Sequence, residues 1–252
     1  MNQNRNDEVN VMDILLYLVS KWKWFLVSVI VFVGLAWLKY SSTPQVFFRS
    51  ATVIIKDPSN KIASAGLDRY DNYINKVNVA NEILQFRSRK LMREVVKRVN
   101  ADVDYQVKEG LLMSELYTKS PVRVTFPELQ DWEYVSLKVT PLSKFLVRVV
   151  ERVDGEDAKE LIVDLGDTVN VAGARMLVTP TNYYSKDWFG EPVFVTRNPI
   201  SSVVARYQGG LGIRQEEDEA SILTLSLKDS SPARAEDVLN TLISVYNEEA
   251  IN

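Results

Sequence analysis

One uninterrupted apolar stretch near the start of the chain limits what the rest can be. The fifteen residues from Trp24 to Leu38 carry no charge, and all of them except Ser28 and Gly34 are apolar. A helix of that length, rising about 1.5 Å per residue, covers about 22 Å, whereas the hydrocarbon core of a bilayer is roughly 30 Å thick. The stretch alone is short for a membrane span, so its flanks decide the interpretation.

The flanking residues favour a helix that stays in the membrane. Lysine side chains just outside an apolar stretch extend along the helix and place their ammonium groups among the lipid headgroups. Tryptophan and tyrosine rings prefer the membrane interface. We therefore predict a transmembrane helix over residues 22–40. The residues that anchor its two ends at the interface are Trp22, Lys23, Trp24, Trp37, Lys39 and Tyr40.

A cleaved signal peptide and a helix of a soluble core are the alternatives. A signal peptide has a short basic region first and small residues at its cleavage site. Here the polar and mixed residues 1–21 come first, and residues 37–40 (WLKY) offer no such site. A soluble core gives no reason for aromatic rings at both ends of the helix. Lysines on both sides leave the orientation of the helix open.

The composition argues against several kinds of functional site. The 252 residues contain no histidine and no cysteine, although zinc sites of the usual kind need one of them and most nucleophilic triads need histidine. The glycines at 209–212 lack the lysine of a phosphate-binding loop, and residues 216–219 (EEDE) lack the spacing of a calcium loop. The net charge of −3 provides no basic field for nucleic acid. We expect no catalytic residue, cofactor, metal or nucleic-acid partner.

Residues 41–100 and 198–252 have patterns of mixed helix and strand. Residues 45–56 alternate like a strand, and residues 57–74 are interpreted as a surface loop. Residues 77–99 are predicted to form one helix with two apolar stripes. The first stripe is Val79, Ile83, Leu84 and Phe86, and the second is Leu91, Val95, Val96 and Val99.

Basic residues follow the second half of this predicted helix. They offer contact with an anion or a polysaccharide, and a solvated helix face is the plain alternative. The basic run is Arg87, Arg89, Lys90, Arg93, Lys97 and Arg98. The candidate contacts for a polymer or a neighbouring subunit are Arg87 and Arg89, together with the loop residues Arg69, Tyr70 and Tyr73.

The middle of the chain, residues 101–197, is predicted to be a β-rich inserted subdomain. Short β-patterned runs follow one another there, and Asp154-Gly155 predicts a hairpin turn. The β-patterned runs are 103–107, 121–126, 133–140, 145–152, 160–164, 174–179 and 193–197.

Two cap-and-proline signals predict helices after the insert. Asn198 as the N-cap and Pro199 as the first helical residue begin a helix that Gly209-Gly210 ends. Ser231-Pro232 repeats the signal and begins the last helix, and residues 211–214 and 222–228 between the two helices are predicted strands. The last helix has no clear C-cap, so we expect the chain to continue past residue 252. Its apolar stripe is Ala235, Val238, Leu239, Leu242, Val245 and Tyr246.

The order of these parts resembles the Wzz-type chain-length determinants, also called polysaccharide co-polymerases. The segments that carry the resemblance are residues 13–40, 46–59, 80–99 and 221–252, and residues 115–126 (ELYTKSPVRVTF) are similar to the β-rich insert of longer members. The closest pattern is that of the N-terminal part of the bacterial tyrosine autokinases of capsule and exopolysaccharide export. A second span, a nucleotide-binding motif and a tyrosine-rich tail, which those proteins have, are not in this sequence.

The resemblance implies an α+β fold on a bacterial inner-membrane anchor. Residues 1–21 would be cytoplasmic, and residues 41–100 and 198–252 would form a periplasmic α/β base with a ferredoxin-like sheet. Such proteins assemble as homo-oligomeric rings, and they contact lipid and the polysaccharide polymerase or export machinery. The implied role is non-enzymatic control of polymer length and export. The alternative is a membrane-anchored periplasmic adaptor or binding module of a secretion system.

Overall fold

The computed structural model describes residues 12, 17, 19–41, 43, 45–55, 79–110, 112–171, 173–215 and 222–251. The chain divides into two compact units, Met1–Thr43 and Pro44–Asn252. The loop predicted at 57–74 and the acidic residues 216–219 lie outside the described residues.

The first unit contains helix α1 (Trp22–Ser41), none of whose residues is buried. By length and composition α1 is able to cross a membrane, as the sequence predicts. Side-chain hydroxyl groups bond to carbonyl oxygens of its last turn: Ser41 Oγ to Leu38 at 3.1 Å, and Thr43 Oγ1 to Lys39 at 2.7 Å. These bonds satisfy carbonyl groups that the end of a helix leaves without a partner.

The second unit mixes strands with helices, which confirms the α+β class. Two short 3₁₀ turns, Tyr117–Lys119 and Lys186–Trp188, interrupt the strands. The regular elements, in chain order, are β1 (Phe47–Ile54), α2 (79–86), α3 (Arg89–Val99), β2 (Val103–Glu109), β3 (Leu112–Glu115), β4 (Val122–Thr125), β5 (Val135–Pro141), β6 (Leu146–Val153), β7 (Glu156–Asp164), β8 (Thr168–Val171), β9 (Ala174–Pro180), β10 (Val193–Arg197), α4 (Ile200–Gly210), β11 (Gly212–Gln215), β12 (Ile222–Asp229) and α5 (Pro232–Ile251).

Strands from both ends of the second unit form one antiparallel sheet, in the order β1-β12-β11. Phe47 pairs with Asp229 and Ile54 with Ile222, so β1 and β12 pair along their whole length. Helices α2 to α5 share one apolar core with this sheet. We call this part the base. The described residues supply three strands of its sheet, so the ferredoxin-like arrangement stays a prediction.

The helix predicted over 77–99 is wrong in one respect, because the chain breaks between α2 and α3. Ser88 is extended, with φ −61° and ψ 131°. At about 100° per residue, the two stripes of a continuous helix would face directions about 180° apart. The break lets Phe86 and Leu91 enter the same core. Leu84, predicted in the first stripe, is 67% exposed.

Strands β2 to β10 form the insert, in which two antiparallel sheets share a second core. The larger sheet has the order β3-β2-β10-β5-β6-β7, and the smaller has the order β4-β9-β8. The hairpin predicted at Asp154-Gly155 is confirmed, since Val153 pairs with Glu156. The sequence analysis missed β3 and β8, which have four residues each.

The insert leaves and rejoins the base through two paired strands. Val103 at the start of β2 pairs with Arg197 at the end of β10. The Asn198 N–H group donates to the Asp102 carbonyl oxygen at 2.8 Å. A paired entry and exit fixes the insert at one place on the base.

The two predicted helix starts differ in outcome. Pro199, not Asn198, is the N-cap of α4, and Gly209-Gly210 lies inside the helix. The side chain of Asn198 is occupied elsewhere, because its amide donates to Asp104 at 2.8 Å. The cap at Ser231 is confirmed, since its Oγ accepts the Arg234 N–H at 3.3 Å.

This cap leads to a modest stability prediction. Ser231 is buried, and Ser231→Ala removes the acceptor at the start of α5. We expect the free energy of unfolding to fall by about 1 kcal/mol, measured by urea unfolding of the detergent-solubilised protein. Ser201→Ala on the exposed face of α4 is the control and should change little. Equal effects of the two substitutions would show that the cap does not stabilise α5.

Candidate functional site

A buried arginine joins the base to the insert. Arg234 lies in the first turn of α5, one helical turn before the core residue Val238, so it shares the apolar face of the helix. Its side chain is 3% exposed. A buried guanidinium group is stable only when it is paired and hydrogen-bonded.

Three carboxylates from three strands surround Arg234. Its Nη1 lies 2.5 Å from Asp104 Oδ1 on β2 and 3.5 Å from Glu115 Oε1 on β3. Its Nη2 lies 2.9 Å from Asp229 Oδ1 on β12. Asp104 and Glu115 belong to the insert and Asp229 to the base, so one side chain connects both parts.

Two tyrosines enclose the cluster. Tyr207 on α4 donates its hydroxyl to Asp229 Oδ2 at 2.8 Å. The guanidinium of Arg234 lies 5.9 Å from the ring centre of Tyr117, whose hydroxyl donates to Asp237 Oδ2 at 2.7 Å. These contacts shield the cluster from solvent.

A second buried arginine, Arg197, lies on the other side of the contact between the base and the insert. Arg197 Nε lies 3.2 Å from Asp102 Oδ2, and their side chains are 7% and 13% exposed. Its Nη1 donates to the carbonyl oxygens of Gln130 and Glu133 at 2.6 and 2.8 Å. Arg197 therefore fixes the loop before β5 to the start of β2.

The contact between the base and the insert contains more acidic than basic side chains. Four carboxyl groups, those of Asp102, Asp104, Glu115 and Asp229, face the two guanidinium groups. Like charges in a buried site favour protonation of one of them. We call these four carboxyl groups, Arg197 and Arg234 the joint cluster.

Glu115 is the carboxyl group that protonates most readily. Its side chain is 1% exposed, and burial raises its pKa to about 7 although Arg234 opposes the rise. Oε1 accepts the N–H groups of Tyr105 and Tyr117 at 3.1 and 3.2 Å. Oε2 is buried and has no hydrogen-bond partner among the described residues.

Asp229 and Asp102 shift in opposite directions. Burial raises the pKa of Asp229, but the charge of Arg234 and hydrogen bonds outweigh burial and hold it below its ordinary value. Burial raises the pKa of Asp102 above its ordinary value, although Arg197 opposes the rise. Asp229 thus stays ionised, whereas Glu115 is close to its titration point at neutral pH.

The joint cluster was missed in the sequence, although one local signal pointed to it. Asp229 continues the inward positions Leu223, Leu225 and Leu227 of an alternating strand. Arg234 occupies the buried face of the next helix. Two opposite charges that are five residues apart, each on the buried face of its element, indicate an ion pair. Asp104 and Glu115 are far away in sequence and carry no such signal.

The residues predicted to contact polymer do not belong to the joint cluster. Arg87 and Arg89 are exposed on either side of Ser88. In the described parts of the chain, their guanidinium groups have no hydrogen bond or ion pair. Other members of the basic run are neutralised: Lys90 lies 3.0 Å from Glu249, Lys97 lies 3.0 Å from Asp131, and Arg98 lies 2.8 Å from Glu94 and 2.9 Å from Glu248.

The other residues predicted in the sequence are the loop contacts and the interface anchors, and they too lie outside the joint cluster. Arg69, Tyr70 and Tyr73 lie outside the described residues. The interface anchors, from Trp22 to Tyr40, lie on α1, and the rings of Trp24 and Trp37 are 74% and 73% exposed. This exposure agrees with a helix whose length and composition allow it to cross a membrane.

The joint cluster holds the insert against the base through its contacts. Its carboxylates are bound to guanidinium groups, and the residues described by the structure contain no group of three or more acidic side chains arranged to hold a metal. Buried ion pairs at such a joint fix geometry, because removing either partner leaves a charge without compensation.

The chain matches no family model and no curated protein. Among solved structures, it is similar to FlgL of Xanthomonas campestris in two crystal forms, at 14% identity and a TM-score of 0.21. The similarity covers 57% of this chain and 41% or 40% of FlgL, so the chain spans well under half of that protein. A likeness of this size supports no statement about fold or function.

Proposed function

We propose that the chain is a membrane-anchored, non-catalytic subunit that sets the length of a surface polysaccharide and its passage outward. The observation that carries the proposal is the pairing of β1 with β12. It joins the segment after the anchor helix to the segment after the insert, so one base is built from both. That is the order of parts on which the resemblance to polysaccharide co-polymerases rests.

The proposed mechanism is geometric. α1 holds each subunit in the bacterial inner membrane, with the base and insert in the periplasm. Identical subunits pack side by side into a closed ring, which repeats one surface around its axis. The polymer or its polymerase then meets that surface at fixed intervals.

The joint cluster gives this mechanism the stiffness that it needs. A ring presents a regular surface only when the insert keeps one orientation on every base. Arg234 connects the insert residue Asp104 with the base residue Asp229 in a buried, hydrogen-bonded site. This positioning role is the one that we propose for the joint cluster.

The oligomeric state tests the proposal directly. We expect native mass spectrometry of the detergent-extracted protein to show a closed ring with a single subunit number. A strictly monomeric, well-folded protein would contradict the ring.

The polymer itself provides the second measurement. Deleting the gene in its host should change the length distribution of the surface polysaccharide on a gel, and the wild-type gene should restore it. A secretion adaptor would leave polymer lengths unchanged and alter the export of a protein. That outcome would replace the present proposal with the alternative.

A further inference from the structure

A cavity of about 420 Å³ opens beside the joint cluster. Asn100 at the end of α3 lines it from the base, and residues of β2, β4 and the 3₁₀ turn line it from the insert. Its volume falls within the range of about 300–1,000 Å³ for small-molecule sites. The proposed ring of subunits does not use this cavity.

Fixed aromatic rings line the cavity. Tyr105 Oη donates to the Val124 carbonyl at 3.3 Å and accepts the Val124 N–H at 2.9 Å. Tyr117 is held by its bond to Asp237, and Phe126 also lines the cavity. Rings with few free rotations present apolar surface at little cost in conformational entropy.

Among the described residues of the wall, one cation has no ion pair. Asp102 and Arg197 also line the cavity, but they pair with each other at 3.2 Å. Arg123 on β4 is exposed, and its guanidinium has no hydrogen bond or ion pair within the described ranges. Arg123 is among the residues that line the cavity.

We propose that this cavity binds an anionic saccharide unit, whose carboxylate pairs with Arg123 and whose ring packs against the half-buried rings of Tyr117 and Phe126. Hydroxyl groups of Thr118 and Thr125 and the amide of Asn100 line the same space and are able to exchange hydrogen bonds with sugar hydroxyls. The choice of a saccharide rests on the proposed function, whereas the choice of an anion rests on Arg123.

The pairing of the charged groups in the wall favours an acidic over a neutral sugar. Among the described lining residues, Asp102 pairs with Arg197, which leaves the Arg123 guanidinium without an ion pair. A guanidinium binds a carboxylate in a fork of two parallel bonds, which a neutral hydroxyl does not match. The basic helix α3 is a weaker candidate, because several of its cations are already paired.

Titration calorimetry on the full chain in detergent tests the site with a matched pair of probes. Cellotetraose and its fully oxidised form, cellouronate tetramer, share one backbone and differ in their carboxylates. We expect cellouronate to bind at least tenfold more tightly. Arg123→Gln should weaken cellouronate binding about 10- to 100-fold and leave cellotetraose binding unchanged. Thr118→Trp, which fills the exposed rim, should weaken the binding of both probes.

Arg87→Gln is the control, because it removes an exposed guanidinium outside the cavity that has no ion pair with any described residue. Equal affinity for the two probes, no binding of either, or a larger effect of Arg87→Gln than of Arg123→Gln would each overturn the site. If the protein forms rings and controls polymer length but binds neither probe, the saccharide site is wrong and the proposed function stands. If the protein is a monomer and binds cellouronate through Arg123, the saccharide site stands and the ring is wrong.

Discussion

The Arg234→Met protein is expected to lose roughly 3–5 kcal/mol of its free energy of unfolding. The substitution keeps most of the volume but leaves three carboxyl groups facing one another in a buried site. The side chains of Glu115 and Asp229 are 1% and 4% exposed, so water does not replace the missing guanidinium. Urea unfolding of the detergent-solubilised protein measures the loss.

Arg49→Met is the matched control. Arg49 lies 2.6 Å from Glu236, and the two side chains are 42% and 56% exposed. Exposed ion pairs contribute about 0–1 kcal/mol, so this substitution should change little. If the two variants unfold at the same denaturant concentration, the cluster around Arg234 does not hold the insert to the base.

Glu115 makes the stability of the protein depend on pH. Its pKa is about 7 in the folded state and 4.5 for an ordinary glutamate. The folded state binds the proton more tightly, so the contribution of Glu115 to stability is highest below pH 4.5 and falls as pH rises to 7. At about 1.4 kcal/mol per pKa unit the loss is about 3 kcal/mol, and the full penalty is present above pH 7.

Glu115→Gln should remove this component. Urea unfolding at pH 5 and pH 8 should show a large fall in stability for the wild type and a smaller fall for the variant. Asp102, whose pKa is also raised, leaves a residual slope of the same sign. Asp229 stabilises the fold above its ordinary pKa, a contribution lost only at lower pH than this window. The chain contains no histidine to titrate in this window. Parallel losses in the two proteins would contradict the assignment to Glu115.

Local patterns determined several elements. The apolar stretch of α1, the turn at Asp154-Gly155 and the cap at Ser231 are signals within a few residues, and the structure has all three. The alternation of residues 222–228 likewise predicts strand β12. Each of these depends on contacts between near neighbours, so a single stretch of sequence contains the information.

Other features required the tertiary structure. The break at Ser88 turns two stripes of one apparent helix towards the same core, and no local residue demands it. The pairing of β1 with β12 also needs the whole fold, because the insert separates the two strands. Local propensity is weak compared with the burial of a complete apolar face.

The joint cluster shows most clearly what sequence and structure each contribute. The sequence by itself determined the alternating strand at 222–228 and the apolar stripe of the last helix, because strand and helix periods set the direction of a side chain. It made no prediction for Asp229 and Arg234, although the same periods give both side chains an inward direction. Only the tertiary structure decided that Asp104 and Glu115 meet them, since these residues approach from the insert through long-range packing. Periodicity is a property of neighbours along the chain, whereas the balance of buried charge depends on which distant groups the fold brings together.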